Sequence, residues 1–266
     1  MTNTQVEIIS QRPPEAFLEN WHELATDSHF WFKWRIVAAI NQLRELGIPL
    51  QDRLQALEVG CATGVLRLQF EDETNWVVDG ADLDYGALCK ARNARGRTLY
   101  YDILETERTF AEAYDVLILF DVLEHVADTR PFVDSLLRHL KPGGLLLVNV
   151  PALQPLYSSF DRAARHYRRY NAASLRCEFR HFDLEVLDVR YWGMSLLPVL
   201  ALRAMILGNG GDKAAEEIVS RGFKAPTGAT HQLLTAIMRA ETSIFSKPPI
   251  GSSLLLAARK HRMVTS

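Results

Sequence analysis

The 266-residue chain predicts a doubly wound α/β fold with a mostly parallel sheet. Three observations carry that expectation. From residue 54 onward, short apolar runs alternate with helix-like segments, the pattern of strands covered by helices on both faces. Residues 54–64, LQALEVGCATG, lead from an apolar run through Glu58 into a turn of small residues, Gly60, Ala62 and Gly64, with a helix start behind it. Small residues let backbone approach a ligand closely, and the helix N-terminus aims its first N–H groups at the same place. A second run, NWVVDGAD at 75–82, ends in Asp82, where a βαβ unit places an acid able to accept both hydroxyls of a ribose. Glu58 would repel a phosphate but suits a cationic amino-acid group.

The elements follow in order. Residues 1–13 read as a loose end, and 14–47 as two helices, the second being FWFKWRIVAAINQLRELG, closed by Gly47 with Pro49 behind it. The first strand precedes the glycine turn and the second ends at Asp82. RTLYYD at 97–102 is a third strand, ending in Asp102, and YDVLILFD at 114–121 a fourth. PFVDSLLRHL is an amphipathic helix, KPGG punctuates it, and LLLVNV is the fifth strand. FDLEVLDVRYW at 182–192 gives the sixth and SSLLLAARK at 252–260 the seventh. The expected organisation is an N-terminal helical lid at 1–50, a core at 51–192, a helical insertion at 193–250 and a closing strand with tail at 251–266. An excursion that long is far beyond ordinary connections and points to function or assembly.

Composition narrows the classes. A charge of −2 gives no global attraction to nucleic acid, and the basic residues are local. Three scattered cysteines, Cys61, Cys89 and Cys177, fit reduced thiols in a cytoplasmic setting. No C-x-x-C or clustered His/Cys spacing points to a metal, and the first 20 residues lack the apolar core of a signal peptide. The apolar stretch 191–207 is broken by Pro198 and Arg203 and is too short to span a bilayer, which needs roughly 20 apolar residues. It reads as a buried helix, a homodimer surface, or a dock for a lipid-like substrate or membrane face, so both monomer and homodimer stay open.

Taken together, Glu58–Gly64, Asp82, Asp102, Phe120–His125 (FDVLEH) and Leu140–Gly144 (LKPGG) resemble the class I S-adenosylmethionine (SAM) methyltransferases, specifically the type 11/12-like small-molecule subgroup. The likeness covers about residues 54–151. It implies a Rossmann-like sheet of seven strands, with the last antiparallel beside the sixth. It also implies SAM as cofactor and S-adenosylhomocysteine (SAH) as product. By that resemblance Glu58, Gly60, Cys61, Ala62 and Gly64 surround the methionine part. Asp82 takes the ribose, Leu83 packs on adenine, and Asp102 with Ile103 receives its amine. Phe120 and Asp121 line the sulfonium end. The aromatic-basic helix at 29–35 looks like the subgroup's lid, with Trp31 and Arg35 on one face and Arg35 available to the SAM carboxylate. The family's middle glycine is Ala62 here. The D-V-L-E-H wording recurs with unrelated substrates, which favours a positioning role for Glu124 and His125.

Residues 151–170, PALQPLYSSFDRAARHYRRY, follow the fifth strand and resemble the H-x-R-R-Y segment of bacterial methyltransferases of glycan and lipid pathways. Arg165 stands where that segment commonly has glycine, and Phe160 where it has histidine. Arg168 reads as a fork for an anionic acceptor, and His166 or Tyr170 as the group that takes a hydroxyl proton. A solvated basic face is the competing reading. The expected activity is methyl transfer to a small anionic or amphiphilic, lipid-linked acceptor, with oxygen as the preferred acceptor atom. Two alternatives stay open. A nicotinamide oxidoreductase would want G-x-G-x-x-G spacing, and a non-catalytic SAM-binding scaffold draws its support from Ala62 and Phe160.

Overall fold

The computed structural model describes residues 5–14, 29–208 and 227–262, with the side chains of 203–208 outside the description. The helix expected before residue 29 lies outside the described residues, as does the glycine-rich break expected at 208–211 apart from Gly208, which ends α7. The order is β1 (Val6–Ile8), α1 (Phe30–Glu45), β2 (Gln55–Val59), α2 (Val65–Glu73), β3 (Val77–Asp82), α3 (Tyr85–Cys89), β4 (Thr98–Tyr100), β5 (Tyr114–Phe120), α4 (Thr129–Arg138), β6 (Leu140–Pro151), α5 (Ser159–Ala163), α6 (Ala172–Phe179), β7 (Leu184–Trp192), α7 (Leu197–Gly208), α8 (Gly228–Ile244) and β8 (Ser253–Lys260).

The strands form one sheet in the order β1-β4-β3-β2-β5-β6-β8-β7. Every pairing is parallel except those of β8, which runs antiparallel to both β6 and β7. The chain leaves β2 toward β3 and β4, then returns to build β5 and β6 on the other side. The crevice where that order reverses, beyond the carboxyl ends of β2 and β5, is where such sheets bind ligands.

Two expectations change. The sheet has eight strands, not seven, and the supposed loose end is not loose. Val6, Glu7 and Ile8 pair with Thr98, Leu99 and Tyr100 as an added parallel edge strand. Three residues show too little alternation to be read as a strand, and the supporting contacts come from far along the chain. Tyr100 Oη donates to the Arg12 carbonyl at 2.6 Å, and Asp102 N donates to Ser10 Oγ at 2.8 Å.

Strand residues alternate between two buried faces, as the period of two requires. In β5, Leu117 and Leu119 join the apolar cluster that contains Val133 and Leu136 of α4. Val116 and Ile118 join the cluster that contains Trp34 and Ile40 of α1 and Phe70 of α2. Helix α1 starts where His29 accepts a hydrogen bond from Trp31 N, and it ends at Gly47, whose φ of 67° closes the helix in the left-handed region.

One acid ties the two ends of the insertion together. Glu241 of α8 is buried and accepts from the backbone N–H of Gly193, Met194 and Ser195 at 2.9, 3.0 and 2.7 Å, and from Ser195 Oγ. It thus satisfies the opening turn of the insertion from the insertion's own last helix. Glu241→Ala is expected to cost about 3 kcal/mol, because buried donors lose a charged acceptor. Thermal melts of Glu241→Ala and Glu241→Gln check this, the glutamine losing less. No helix among the described residues is long and apolar enough to cross a membrane.

Candidate active site

A cavity of about 600 Å³ opens at the carboxyl ends of β2, β3, β5 and β6, within the size range of small-molecule sites. Its lining comes from the glycine turn, α1, the FDVLEH segment, the loop around α5, and the insertion.

On the β2 side, Gly60 has φ 79°, and a Cβ there would stand 2.5 Å from Val122 Cγ2, so the turn can pass only as glycine. Ala62 also sits in the left-handed region, at φ 46°. That conformation strains a residue bearing a Cβ, which accounts for glycine at this place in the family pattern. Asp82 locks the turn: its Oδ2 accepts from Ala62 N at 2.7 Å and its Oδ1 from Asp84 N at 2.8 Å. Burial raises the Asp82 carboxyl, against those N–H groups. Gly64 caps α2 from the left-handed region and does not line the cavity, whereas its neighbours Thr63 and Val65 do.

Glu58 ends β2 against this turn. It is buried, and its Oε2 has no hydrogen-bond partner among the described residues. Burial pushes its carboxyl up to about 8, against the lowering influence of Arg35 and Arg67. The folded protein therefore favours neutral Glu58, and the stability this carries is full below the ordinary value of 4.5 and is lost as pH rises through about 8. Wild-type stability is expected to decline more steeply than that of Glu58→Gln between pH 5 and 8, a difference read from paired melting curves.

Trp31, Arg35, Phe120 and Asp121 all reach the cavity, where the Arg35 guanidinium is already paired through one nitrogen while its Nε has no hydrogen-bond partner among the described residues. Its Nη1 pairs with Asp121 Oδ2, and its guanidinium carbon lies 5.1 Å from the Trp31 ring centre and 4.9 Å from that of Phe32. Asp121, held at φ 57°, also accepts from Asn149 Nδ2 at 2.7 Å, while Asn149 Oδ1 accepts from Trp192 Nε1 at 2.8 Å. This chain fixes the wall formed by α1, β5, β6 and β7.

The opposite wall carries Glu124, His125, His166 and Arg169. Asp161 is fully buried and supports two of them, accepting from His166 Nδ1 at 3.0 Å and from Arg169 Nε at 2.7 Å. Burial alone would raise its carboxyl, but His166, Arg169 and the N–H of Ser158 outweigh that and hold it at about 2. The His125 and His166 rings meet edge to face, 4.7 Å apart. Burial, with His166 adding to it, pushes His125 down to about 3. Burial and then Asp121 drive the Glu124 carboxyl well above its usual range. Leu196, Val199, Leu200 and Leu234 of the insertion complete an apolar side.

Several expected site residues lie elsewhere. Asp102 is buried under the N-terminal segment, its Oδ2 paired with Arg12 Nη1 at 2.6 Å and its Oδ1 accepting from Leu104 N at 2.9 Å. Ile103 is core, its carbonyl accepting from Ser135 Oγ, and neither residue lines the cavity. Leu83 packs instead against the cluster of Cys61, Leu88 and Tyr100. Arg168 turns away from the cavity, its Nη2 bonding the carbonyls of Val126 and Ala127 at 3.0 and 2.6 Å. Tyr170 is buried in the apolar cluster with Leu123 and Leu175, and burial raises its hydroxyl. Neither lines the cavity from there. The arginine of this segment that lines the cavity is the next residue, Arg169. Arg165 stands at φ 59°, which explains glycine at that place in related segments.

A doubly wound sheet with its last strand inserted antiparallel, and a glycine turn beside two strand-end acids, define a class I SAM-dependent methyltransferase. The chain belongs to the Methyltransferase domain family, whose model matches residues 31–189. The ubiquinone biosynthesis O-methyltransferase of Rickettsia typhi is 26% identical over 137 residues, covering 46% of this chain and 56% of that one. The enzyme of the same name from Caulobacter sp. (strain K31) is 31% identical over 103 residues, covering 36% and 40%. The chain thus spans less than two thirds of the length of either relative. Among solved structures, phosphoethanolamine N-methyltransferase 2 of Haemonchus contortus in complex with SAM shares the fold. Its TM-score is 0.53 at 20% identity, over 89% of this chain and 58% of that one. The [4+2]-cyclase SpnF likewise gives 0.53 at 19%, over 85% and 82%.

SAM is the cofactor of this class, and the residues present fit it. Glu58 Oε2 is a buried acceptor beside the turn, matched to an ammonium. Asp82 stands one strand away with both oxygens directed by backbone N–H groups and lone pairs left to accept hydroxyls.

Proposed function

We propose that the protein transfers a methyl group from SAM to a hydroxyl on a small acceptor with an apolar body. The observation that carries the cofactor half is Glu58, a buried acid without a hydrogen-bond partner on Oε2, set against a glycine turn and near Asp82. When bound, SAM supplies a methyl group made electrophilic by its sulfonium. Glu58 with Gly60, Cys61 and Ala62 would hold the methionine end, and Asp82 the ribose. Trp31 and Phe120 exclude water from the reacting end, with the Arg35–Asp121 pair fixing their wall. Binding an ammonium draws Glu58 toward its charged form, so SAH binding near pH 7 releases a proton from it.

For the acceptor, an anionic clamp finds little support. Arg168 is spent on carbonyls and Arg169 on Asp161. The apolar side of the cavity supports an amphiphilic acceptor instead, its body lying along Leu196, Leu200 and Leu234. The O-methyl transfer named for the relatives agrees with a hydroxyl acceptor. His166, with Asp161 on Nδ1, presents Nε2 as the atom that takes the hydroxyl proton. The remaining work is alignment, which converts an encounter of two small molecules into a positioned reaction. In domain terms α1 and the described parts of the 193–250 insertion wall the site, and the 51–192 core with β8 carries it.

The test is methyl transfer from labelled SAM to a matched acceptor series: a phenol, the same phenol with an alkyl tail, and the same phenol with a phosphate. The tail is expected to raise kcat/KM at least about tenfold, the value of burying two or so methylenes. A preference for the phosphate-bearing acceptor would overturn the apolar reading. Bound SAH with no turnover on any acceptor would favour the scaffold alternative.

A further inference from the structure

We propose that Glu124, His125 and His166 form a divalent-cation site of the zinc type on the acceptor side of the cavity. One carboxylate oxygen and two imidazole nitrogens lie within 4.8 Å of one another. Tetrahedral ligands about 2.1 Å from zinc stand about 3.4 Å apart. Side-chain rotations that draw the donors together by about 1 Å would close all three on one ion. A carboxylate with two imidazoles is an open donor set that leaves coordination positions for substrate.

Two independent features point to a ligand there. Glu124 is only 1% exposed, and its Oε2 is without a hydrogen-bond partner among the described residues although the residue lines the cavity. A buried, unpartnered carboxylate oxygen is costly, and a cation offsets that cost. His166 is oriented as a metal ligand is. Asp161 accepts from its Nδ1 at 3.0 Å, which leaves the Nε2 lone pair for the cavity. A carboxylate on the far nitrogen of a ligating histidine fixes its tautomer and raises its basicity. Arg169 in turn holds Asp161 through Nε at 2.7 Å, so the support is itself anchored.

The site deepens the proposed function and rests on it only for its role. A hydroxyl of the acceptor would ligate the cation, forming an oxygen–metal bond. Its O–H bond breaks with the proton passing to solvent, and the metal-held oxygen is then the nucleophile. In the metal-free protein the same proton goes to His166 Nε2.

The experiment uses the full chain, stripped with chelator and titrated with Zn²⁺ by calorimetry and with Co²⁺ by visible absorption. SAH titrations run on the same samples. The expected result is one Zn²⁺ per chain at micromolar affinity or tighter, with Co²⁺ bands of a nitrogen-ligated ion. Glu124→Gln and His125→Ala should weaken Zn²⁺ more than tenfold. Asp161→Asn, which keeps all three ligands, should weaken it about 10- to 100-fold. SAH binding retained in these variants shows them folded. Absence of Zn²⁺ and Co²⁺ binding, or binding that no variant alters, overturns the site. SAH binding without Zn²⁺ leaves the methyltransferase reading intact, and Zn²⁺ binding without SAH does the reverse.

Discussion

Asp82→Ala is expected to weaken SAH binding at least about 100-fold. The carboxylate would lose two charge-assisted hydrogen bonds to the cofactor, each contributing roughly 1.5–3 kcal/mol, against 1.4 kcal/mol for a tenfold change in affinity. The effect has a second source within the protein. The same two oxygens hold Ala62 N and Asp84 N, so their removal frees the glycine turn and the start of α3. Asp82→Asn keeps one acceptor oxygen and is expected to lose only about tenfold. Calorimetric titration of the three proteins with SAH separates these cases. Equal affinity in wild type and alanine variant would mean that Asp82 serves the fold alone.

His166→Ala is expected to lower kcat by about 100-fold or more, within the range for loss of a positioned proton acceptor, while SAH affinity stays within about threefold. The expected split follows from where the side chain sits. It lines the wall opposite the glycine turn, its Nδ1 is engaged by Asp161, and no residue of the proposed cofactor set touches Asp161 in that network. The measurement is steady-state kinetics with the tailed phenol beside SAH calorimetry. Parallel losses in kcat and SAH affinity would reveal a structural role instead.

The strands and helices of the core were legible because each is a continuous segment with its own period. The placement of Glu58, Gly60, Ala62 and Asp82 at the cavity was legible for the same reason: they stand at or just beyond the ends of adjacent strands. What the sequence hid depends on contacts made at a distance. Asp102 lies just past a strand end as Asp82 lies at one, yet Arg12 and Ser10, some ninety residues earlier, cover it. Arg35 points at the cavity, but Asp121 answers its charge. Arg168 and Arg169 are neighbours in an irregular stretch, where adjacent side chains face opposite ways, so the choice between them required Asp161 to be in view. The donor cluster of Glu124, His125 and His166 has no motif spacing, because α4, β6 and α5 separate His166 from the adjacent Glu124 and His125 in the chain.

The measurement that bears most directly on the account is calorimetric titration of the full chain with SAH at pH 7, run in buffers of different ionisation heat. Micromolar binding with a proton released, lost in Asp82→Ala and without proton release in Glu58→Gln, is the predicted result. No saturable binding by the wild type, or binding that leaves both acids without effect, would contradict the assignment of this cavity to SAM.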